Sequence, residues 1–376
     1  MKIALLGHGT VGRGVDQVIS SSVPGVEVAR ILELPDRIDD ERMTSNFDDI
    51  ADDESIELVV ECMGGIEPAH TFIARALSAG KHVVTSNKAV VAAHFAEFVS
   101  LARENRVAFM IEATVGGGIP WIAGMQKARR IEDIGMFSGI MNGTTNFILD
   151  AMRKESIDFD VALARAQELG YAERDPSADI DGIDMANKTI ISACVAFDVD
   201  CVTDFPVTGI RTVSKHDLDL FSAKGYMLKL FGRGVCKDGR YAVAVEPVAI
   251  PCESLEAAVP ANFNIVSLEG ASIGCLKYYG QGAGSLPTGN AIVQDVIDVA
   301  EGHWASYDFS RELAYDASLL KGDYVFRTSQ EVEGGTNWSQ DAWIVRDINA
   351  GEARRMLEDI WQSDPAAFMA AMISEV

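Results

Sequence analysis

The chain has 376 residues, enough for two domains with separate cores, and its 48% hydrophobic and 23% charged residues exclude a disordered or fibrous chain. No apolar run approaches the roughly 20 residues that a bilayer span requires, and 56 acidic against 32 basic residues leave a net charge of −24. That charge repels phosphate backbones and anionic lipid, so neither nucleic acid nor a membrane is an expected partner.

In chain order, β-type apolar runs at 3–6, 26–32, 58–62, 82–85 and 107–111 alternate with helical stretches such as 68–79 and 89–105. This is the rhythm of a parallel sheet. The first run passes into Gly7-His8-Gly9-Thr10-Val11-Gly12, which opens a helix. In that context Gly7 permits the tight turn, Gly9 lets backbone approach a pyrophosphate, and Gly12 allows close helix-on-strand packing. Free amides at the helix start then face the phosphates. The reading is a Rossmann-type, doubly wound dinucleotide-binding domain over 1–130, with Gly7, Gly9, Thr10, Val11 and Gly12 at the cofactor. A glycine turn without a ligand is the plain alternative.

Glu33 stands 21 residues after Gly12 (33 − 12), where an acid bonds a ribose 2′-hydroxyl and disfavours a 2′-phosphate. NAD is therefore expected over NADP, although Arg37 lies within reach of a 2′-phosphate and Glu33 also reads as a solvated loop acid. Met63-Gly64 and Thr85-Ser86-Asn87-Lys88 follow the third and fourth strand runs, at the sheet edge where ligands bind. They add Met63, Gly64, Thr85, Ser86 and Lys88 to the cofactor set. Lys88 reads equally as a catalytic or substrate-binding lysine and as an ordinary surface lysine.

After Glu112-Ala113-Thr114-Val115-Gly116-Gly117-Gly118-Ile119-Pro120 the pattern changes, and 131–280 reads as a second, α+β domain. It has a β-like run at 134–141, helices at 145–153, 161–169 and 182–197, and β-rich runs at 226–235 and 241–250 flanking an Asp238-Gly239 hairpin, with strands continuing to about 279. A helix is predicted over 285–300, and the remainder is less regular. The six cysteines form no C-x-x-C pair; without an export signal they read as reduced, mostly buried thiols of a cytoplasmic protein.

The stretch from 170 to 188 holds five carboxylates in twelve residues: Glu173, Asp175, Asp179, Asp181 and Asp184. Asp175 and Asp181 read as solvated loop acids. Asp184 and Lys188 are four apart at the start of an apolar helix and share a face. An exposed ion pair is the plain reading. Hydride delivery to an aldehyde creates an alkoxide that needs a positioned proton donor, and a partly desolvated lysine beside a carboxylate suits that task. A substrate ammonium would find Glu173 and Asp179 nearby.

Together the glycine loop, Met63-Gly64-Gly65, Asn87-Lys88, residues 112–120, Asn142-Gly143-Thr144-Thr145-Asn146, residues 170–188 and Gly282-Ala283-Gly284 resemble the homoserine dehydrogenases, over roughly residues 1–300. The resemblance implies NAD(P)-dependent reduction of aspartate β-semialdehyde to homoserine, in amino-acid biosynthesis. It makes Lys188 the proton donor, with Asp184 orienting it and Lys88 a second active-site lysine. Tyr171, Glu173, Gly143 and Thr144 resemble the pocket for the amino-acid end, supported by Asp179. It further implies a monovalent cation, usually sodium, at Glu112, Val115, Gly117 and Ile119. A homodimer through the second domain's sheet follows too, as does a late segment around Gly282 that returns to the cofactor domain over about 281–302. No arginine ends the second strand as in NADP-preferring members, which again favours NAD. Residues 303–376 read as a C-terminal extension in which 322–327 resembles the first strand of an ACT-type regulatory domain, too short to predict feedback control by threonine.

Rival readings are a dehydrogenase of another small amino alcohol or aldehyde, an acylating semialdehyde dehydrogenase, and a non-catalytic nucleotide sensor. The acylating enzyme needs a reactive cysteine with a histidine partner, and Cys194 lies in a predicted apolar helix. The sensor is disfavoured by the intact Asp184 and Lys188.

Overall fold

A computed structural model describes residues 1–373 and resolves two compact units. The first comprises Met1–Lys127, Asp198–Asp200 and Gln281–Ser310; the second comprises Ala128–Phe197, Cys201–Gly280 and Arg311 onward.

The first unit runs β1 (Lys2–Leu6), α1 (Thr10–Ser22), β2 (Glu27–Leu32), β3 (Met43–Thr44), α2 (Asp48–Ala51), β4 (Leu58–Glu61), α3 (Ala69–Ser78), β5 (His82–Thr85), α4 (Lys88–Asn105), β6 (Phe109–Met110) and α5 (Trp121–Arg129). Its strands form one parallel sheet in the order β3-β2-β1-β4-β5-β6. Burial of this sheet on both faces explains why its strands are continuous apolar runs: Ile3 to Leu6 and Leu58 to Val60 are fully buried. The order reverses between β1 and β4, which is the switch point where such sheets bind ligands.

The second unit begins with β7 (Ile134–Ile140), α6 (Gly143–Glu155), α7 (Phe159–Glu168), α8 (Ser177–Ile180), α9 (Ile183–Phe197) and α10 (Lys215–Ser222). The strands β8 (Tyr226–Lys237), β9 (Arg240–Pro251), β10 (Phe263–Gly270) and β11 (Gly274–Gln281) follow. β8 and β9 pair from Lys237↔Arg240 outward, leaving Asp238 (φ 52°) and Gly239 (φ 72°) as a two-residue turn whose positive φ values match strand twist. α9 is apolar almost all round and is buried against β7, β8 and β9.

α11 (Ser285–Ala300) belongs to the first unit, where it packs on α1. The approach is backbone to backbone: a Cβ on Gly14 would lie 2.8 Å from the Ser285 carbonyl oxygen, and one on Gly289 would lie 3.1 Å from the Gly14 carbonyl carbon.

β12 (Ala314–Tyr315), β13 (Lys321–Arg327), β14 (Thr336–Ser339), β15 (Ala342–Asn349), α12 (Ala350–Trp361) and β16 (Phe368–Met372) complete the chain. Of the expected extension over 303–376, residues 374–376 lie outside the described residues. Its strands continue the second sheet, in the order β11-β10-β7-β8-β9-β16-β13-β15-β14, with β12 also on β9. β16 bonds to β9 through Ala371↔Val248 and Met372↔Ala249, and Tyr324, Phe326, Leu357 and Met369 share one core with Phe231 and Val248. The burial of those side chains is what draws the tail into the sheet. The cysteines also differ from expectation: Cys194 and Cys201 are buried, whereas Cys252 and Cys275 are exposed. Among the described residues no helix is long and apolar enough to cross a membrane.

Candidate functional site

The functional residues form one cluster in each unit. In the first, Gly7 (φ 94°) turns the chain out of β1, and Gly9 caps α1 without a side-chain bond, leaving the first-turn amides to other partners. Two features show that the loop fits a dinucleotide. A Cβ on Gly12 would lie 2.2 Å from the Gly7 carbonyl oxygen, so only glycine brings α1 this close, whereas nothing lies within 4 Å of a Cβ on Gly9. The cradle is tight below and open above, as a phosphate group bound by backbone amides requires.

Glu33 closes the side of this loop. Its carboxylate accepts the His8 amide (3.0 Å) and the Leu34 amide (3.0 Å), so it is no freely solvated acid. Burial works against its charge, but those two amides hold its pKa below the ordinary value. Asp16, from α1, accepts from His8 Nε2 (3.1 Å) and from both Arg42 terminal nitrogens (3.1 Å each), a rim that the sequence did not disclose.

Beneath the other predicted loops sits Glu61, fully buried at the end of β4. It accepts the amides of Met63 (2.7 Å) and Gly64 (3.3 Å), the Thr85 hydroxyl (2.5 Å) and the Asn87 side-chain amide (3.5 Å). One acid thus ties the loop after β4 to the loop after β5. Burial pushes its pKa up and these donors pull against it. Thr85 therefore shapes the loop through a hydroxyl already engaged, while Ser86 and Lys88 are half-buried. Asn87 caps α4 by accepting the Val90 amide, so Lys88 opens that helix. A glutamate ending the apolar run of β4 was the available signal for Glu61.

Glu112 is buried, and its carboxylate accepts the amides of Ile122 (3.0 Å) and Ala123 (2.7 Å) at the start of α5. Burial pushes its pKa up to about 7 despite those bonds. Its own amide donates to Asp295 (3.0 Å) on α11, whose carboxyl is fully buried and also raised. Val115 and Ile119 are buried in the following loop, and Gly117 (φ 58°) meets Gly282 so closely that a Cβ would lie 2.6 Å from its carbonyl carbon. Hence Gly282 touches the loop predicted to hold a cation. A cavity of about 350 Å³ opens here, lined by Glu112, Pro120, Asn290, Asp295 and Asp298 among others.

In the second unit the acid-rich stretch is resolved into distinct roles. Asp184 and Lys188 are only 6% and 8% exposed, which overturns the exposed-pair reading. Lys188 Nζ donates to Asp184 Oδ2 (2.8 Å) and to the Met141 carbonyl (2.7 Å). A buried ion pair adds little net stability, so Lys188 and Asp184 are not accounted for as a stabilising contact. Asn142 joins the set: its amide donates to Asp184 Oδ2 (2.7 Å) and to Asp179 Oδ1 (2.7 Å), while its carbonyl caps α6 through Thr145 N (2.8 Å). Asp179 is half-buried; desolvation raises its pKa, chiefly against the Asn142 bond. Thr144 is buried with its hydroxyl on the Tyr171 carbonyl (2.6 Å), and Tyr171 packs edge-on to Phe147. Gly143 needs its missing side chain for packing, since a Cβ would lie 2.6 Å from the Asn262 carbonyl oxygen. Glu173 is exposed, with its backbone carbonyl accepting Gln167 Nε2 (3.0 Å). Asp181 is engaged by Arg211 (2.6 Å) and Asp175 caps Ser177, as their reading as loop acids allows. A cavity of about 820 Å³ beside Asp204, Tyr315 and Arg354 is lined by none of the predicted site residues.

The chain is similar to known proteins over most of its length. Residues 120–297 match the family profile "Homoserine dehydrogenase" and residues 7–112 match "Homoserine dehydrogenase, NAD binding domain". The homoserine dehydrogenase of Synechocystis is 38% identical over 322 residues, covering 80% of this chain and 73% of the relative. Among solved structures, a homoserine dehydrogenase from Thiobacillus denitrificans superposes with a TM-score of 0.90 at 28% identity, over 100% of this chain and 98% of that one. A hyperthermophilic archaeal homoserine dehydrogenase mutant, solved in complex with NADPH, has a TM-score of 0.70 at 26% identity, over 82% of this chain and 100% of that one.

Proposed function

The chain belongs to the homoserine dehydrogenase family and is a nicotinamide-dependent oxidoreductase acting on the CH–OH group of a small molecule; we propose that Lys188 is its proton donor. The observation that carries this reading is the buried Lys188–Asp184 pair, with Asn142 and the Met141 carbonyl fixing both partners.

When bound, the nicotinamide supplies hydride to the carbonyl carbon of aspartate β-semialdehyde, or takes it from homoserine. Lys188 gives its proton to the oxygen that becomes the hydroxyl, and takes it back in the reverse direction. Asp184 keeps the ammonium aimed by accepting one of its protons, and Asn142 holds that carboxylate from the other side. Asp179, with Glu173, Tyr171, Gly143 and Thr144, forms the region for the substrate's charged amino-acid end. Positioning supplies much of the rate, because the donor atoms are fixed before substrate arrives. Lys88 is the second candidate for contact with substrate or nicotinamide.

The first unit contributes Gly7, Gly9, Thr10, Val11 and Gly12 to the pyrophosphate, and Met63, Gly64, Ser86 and Gly282 to the rest of the dinucleotide. NAD is preferred in this reading, because the Glu33 carboxylate, held by two amides, disfavours a 2′-phosphate. An archaeal relative was solved in complex with NADPH, so the cofactor choice of this chain is decided by the experiment below. Glu112 with the carbonyls of Val115, Gly117 and Ile119 is the seat of a sodium ion. A buried carboxylate beside a second buried acid, Asp295, fits a hard monovalent ion with oxygen ligands. A homodimer through the second sheet is part of the same reading, supported by β11 at the end of that sheet with Tyr279 half exposed.

The test is oxidation of homoserine by purified protein with NAD and with NADP at alkaline pH, followed by the ultraviolet absorbance of the reduced cofactor. Reduction of neither cofactor would overturn the reading. Lys188→Ala that keeps NADH binding but loses turnover places the proton donor; full activity in that variant would move the role to Lys88.

A further inference from the structure

Outside these clusters, the first unit carries a compact group of ionisable side chains where α3 meets α4. His70, on the first turn of α3, and His94, on the second turn of α4, stack with ring centroids 3.9 Å apart and planes 21° from parallel. Glu97 Oε2 lies 3.0 Å from His70 Nε2 and 3.4 Å from His94 Nδ1, and the three donor atoms all fall within 4.8 Å of one another. We propose that His70 Nε2, His94 Nδ1 and Glu97 Oε2 form a binding site for a divalent transition-metal ion, of which zinc is the type.

Three features support a site over a chance gathering. Tetrahedral ligands at 2.0–2.1 Å from zinc are about 3.3 Å apart, and the two donor pairs at 3.0 and 3.4 Å already have that spacing. Next, the outer nitrogen of His70 is engaged as a metal ligand's should be. His70 Nδ1 lies 2.9 Å from Glu67 Oε1, and the other Glu67 oxygen accepts the Thr71 hydroxyl at 2.9 Å. A carboxylate behind a ligating imidazole fixes its tautomer and leaves the opposite nitrogen's lone pair for the ion. Finally, α4 departs from helical geometry at one residue, His94 (φ −134°, ψ 20°), which is the residue whose ring lies over His70.

The surroundings suit an ion bound at a partly open position. Phe98, fully buried, underlies both rings at 5.8 and 6.0 Å, while Glu97 faces solvent. Two imidazoles and a carboxylate select zinc, cobalt or nickel over magnesium and calcium, which favour all-oxygen shells. Two protonated rings stacked this closely would repel, so one ion bound at the ring edges by the in-plane lone pairs of two neutral imidazoles is the arrangement that uses both. Bound there, it ties Glu67, in the segment that follows Met63-Gly64, to the middle of α4. The role is therefore structural: a clasp on the outside of the cofactor-binding unit.

The experiment uses full-length protein freed of metal by chelation and of any affinity tag, titrated with cobalt chloride and, calorimetrically, with zinc chloride. The expected result is uptake of one ion per chain, the intense visible absorption of low-coordinate cobalt, and a rise in Tm. Glu67→Gln should weaken zinc binding about 10–100-fold, and His94→Asn and Glu97→Gln should each abolish the cobalt spectrum. Circular dichroism and NADH titration verify that each variant is folded. Cys252→Ser/Cys275→Ser, which removes the exposed thiols, should leave the spectrum unchanged. No uptake by the parent chain, or uptake by His94→Asn equal to the parent's, overturns the proposal, as does loss of the spectrum with the two cysteines.

Discussion

The glycine loop and the acid-rich stretch build their sites from different material. In the proposed cofactor loop the material is backbone: Gly7 and Gly12 matter for the side chains they lack, Gly9 leaves open space, and the first-turn amides of α1 are the groups offered to a ligand in that reading. In the second unit it is side chains: Asp179, Asn142, Asp184 and Lys188 form one bonded row. The difference teaches how each site fails. A backbone site is intolerant of added atoms but indifferent to charge, whereas a side-chain site tolerates changes of volume and depends on each proton and lone pair.

The largest expected effect breaks the side-chain row at its end. Lys188→Ala should lower kcat by about 10²–10⁴-fold while the Kd for NADH, from fluorescence titration, stays within about twofold of the parent. A parallel loss of NADH binding would show that the row is not confined to the chemical step.

Glu112 is where the contrast blurs, since it is a side chain in the backbone-built unit. Its pKa in the fold, about 7, lies above the ordinary 4.5, so the protonated form favours the folded state. Its contribution is whole below about pH 4.5 and is lost as pH rises through 7, an effect of up to about 3 kcal/mol. In sodium-free buffer Tm should fall over that window, and sodium should flatten the fall by stabilising the carboxylate. A slope that survives in Glu112→Gln would assign the effect to Asp295.

Gly12→Ala tests the opposite case. A Cβ placed 2.2 Å from the Gly7 carbonyl oxygen should impose about 1–3 kcal/mol of strain and weaken NADH binding about tenfold or more, with the second unit's residues untouched. Unchanged binding would mean that the loop can open without cost, and the distinction would lapse.

The smallest effect is expected at Glu33, where the two kinds of site meet. Glu33→Gln keeps an acceptor for the His8 amide but removes the charge, and should shift the ratio of Kd values for NADH and NADPH toward NADPH by about tenfold, or 1.4 kcal/mol. No shift would leave Glu33 as a brace for the loop.

Much of this was legible because it is local. The strand–glycine loop–helix and the Asp238-Gly239 hairpin are each complete within a few residues, and so is the i,i+4 spacing of Asp184 and Lys188. What escaped depends on residues distant in sequence. Asn142 stands in a recognisable motif, but its bonds to Asp179 and Asp184 span 37 and 42 positions. Glu61 looks like the end of a strand until the loops it gathers are seen together. The burial of Asp184 and Lys188, which overturns the reading of a surface ion pair, follows from α9 lying against three strands of one sheet. The strands of the tail were not legible, because short strands such as Thr336–Ser339 carry little periodicity and draw their stability from neighbours.

The place of β16 has a kinetic consequence. β16 is the bridge between β9 and β13, and its pairing of Ala371 with Val248 joins residues 123 positions apart (371 − 248). Loop-closure entropy for such a pairing must be met before the contact returns anything. Without β16 the sheet is two separate parts, β11 to β9 and β13 to β14, in which β13 keeps an unpaired edge and β9 is covered only at Arg240, Tyr241 and Val245. Until it docks, those inner edges are open to pairing with other chains, and the docking of β16 closes both, leaving β11 and β14 as the ends of the sheet.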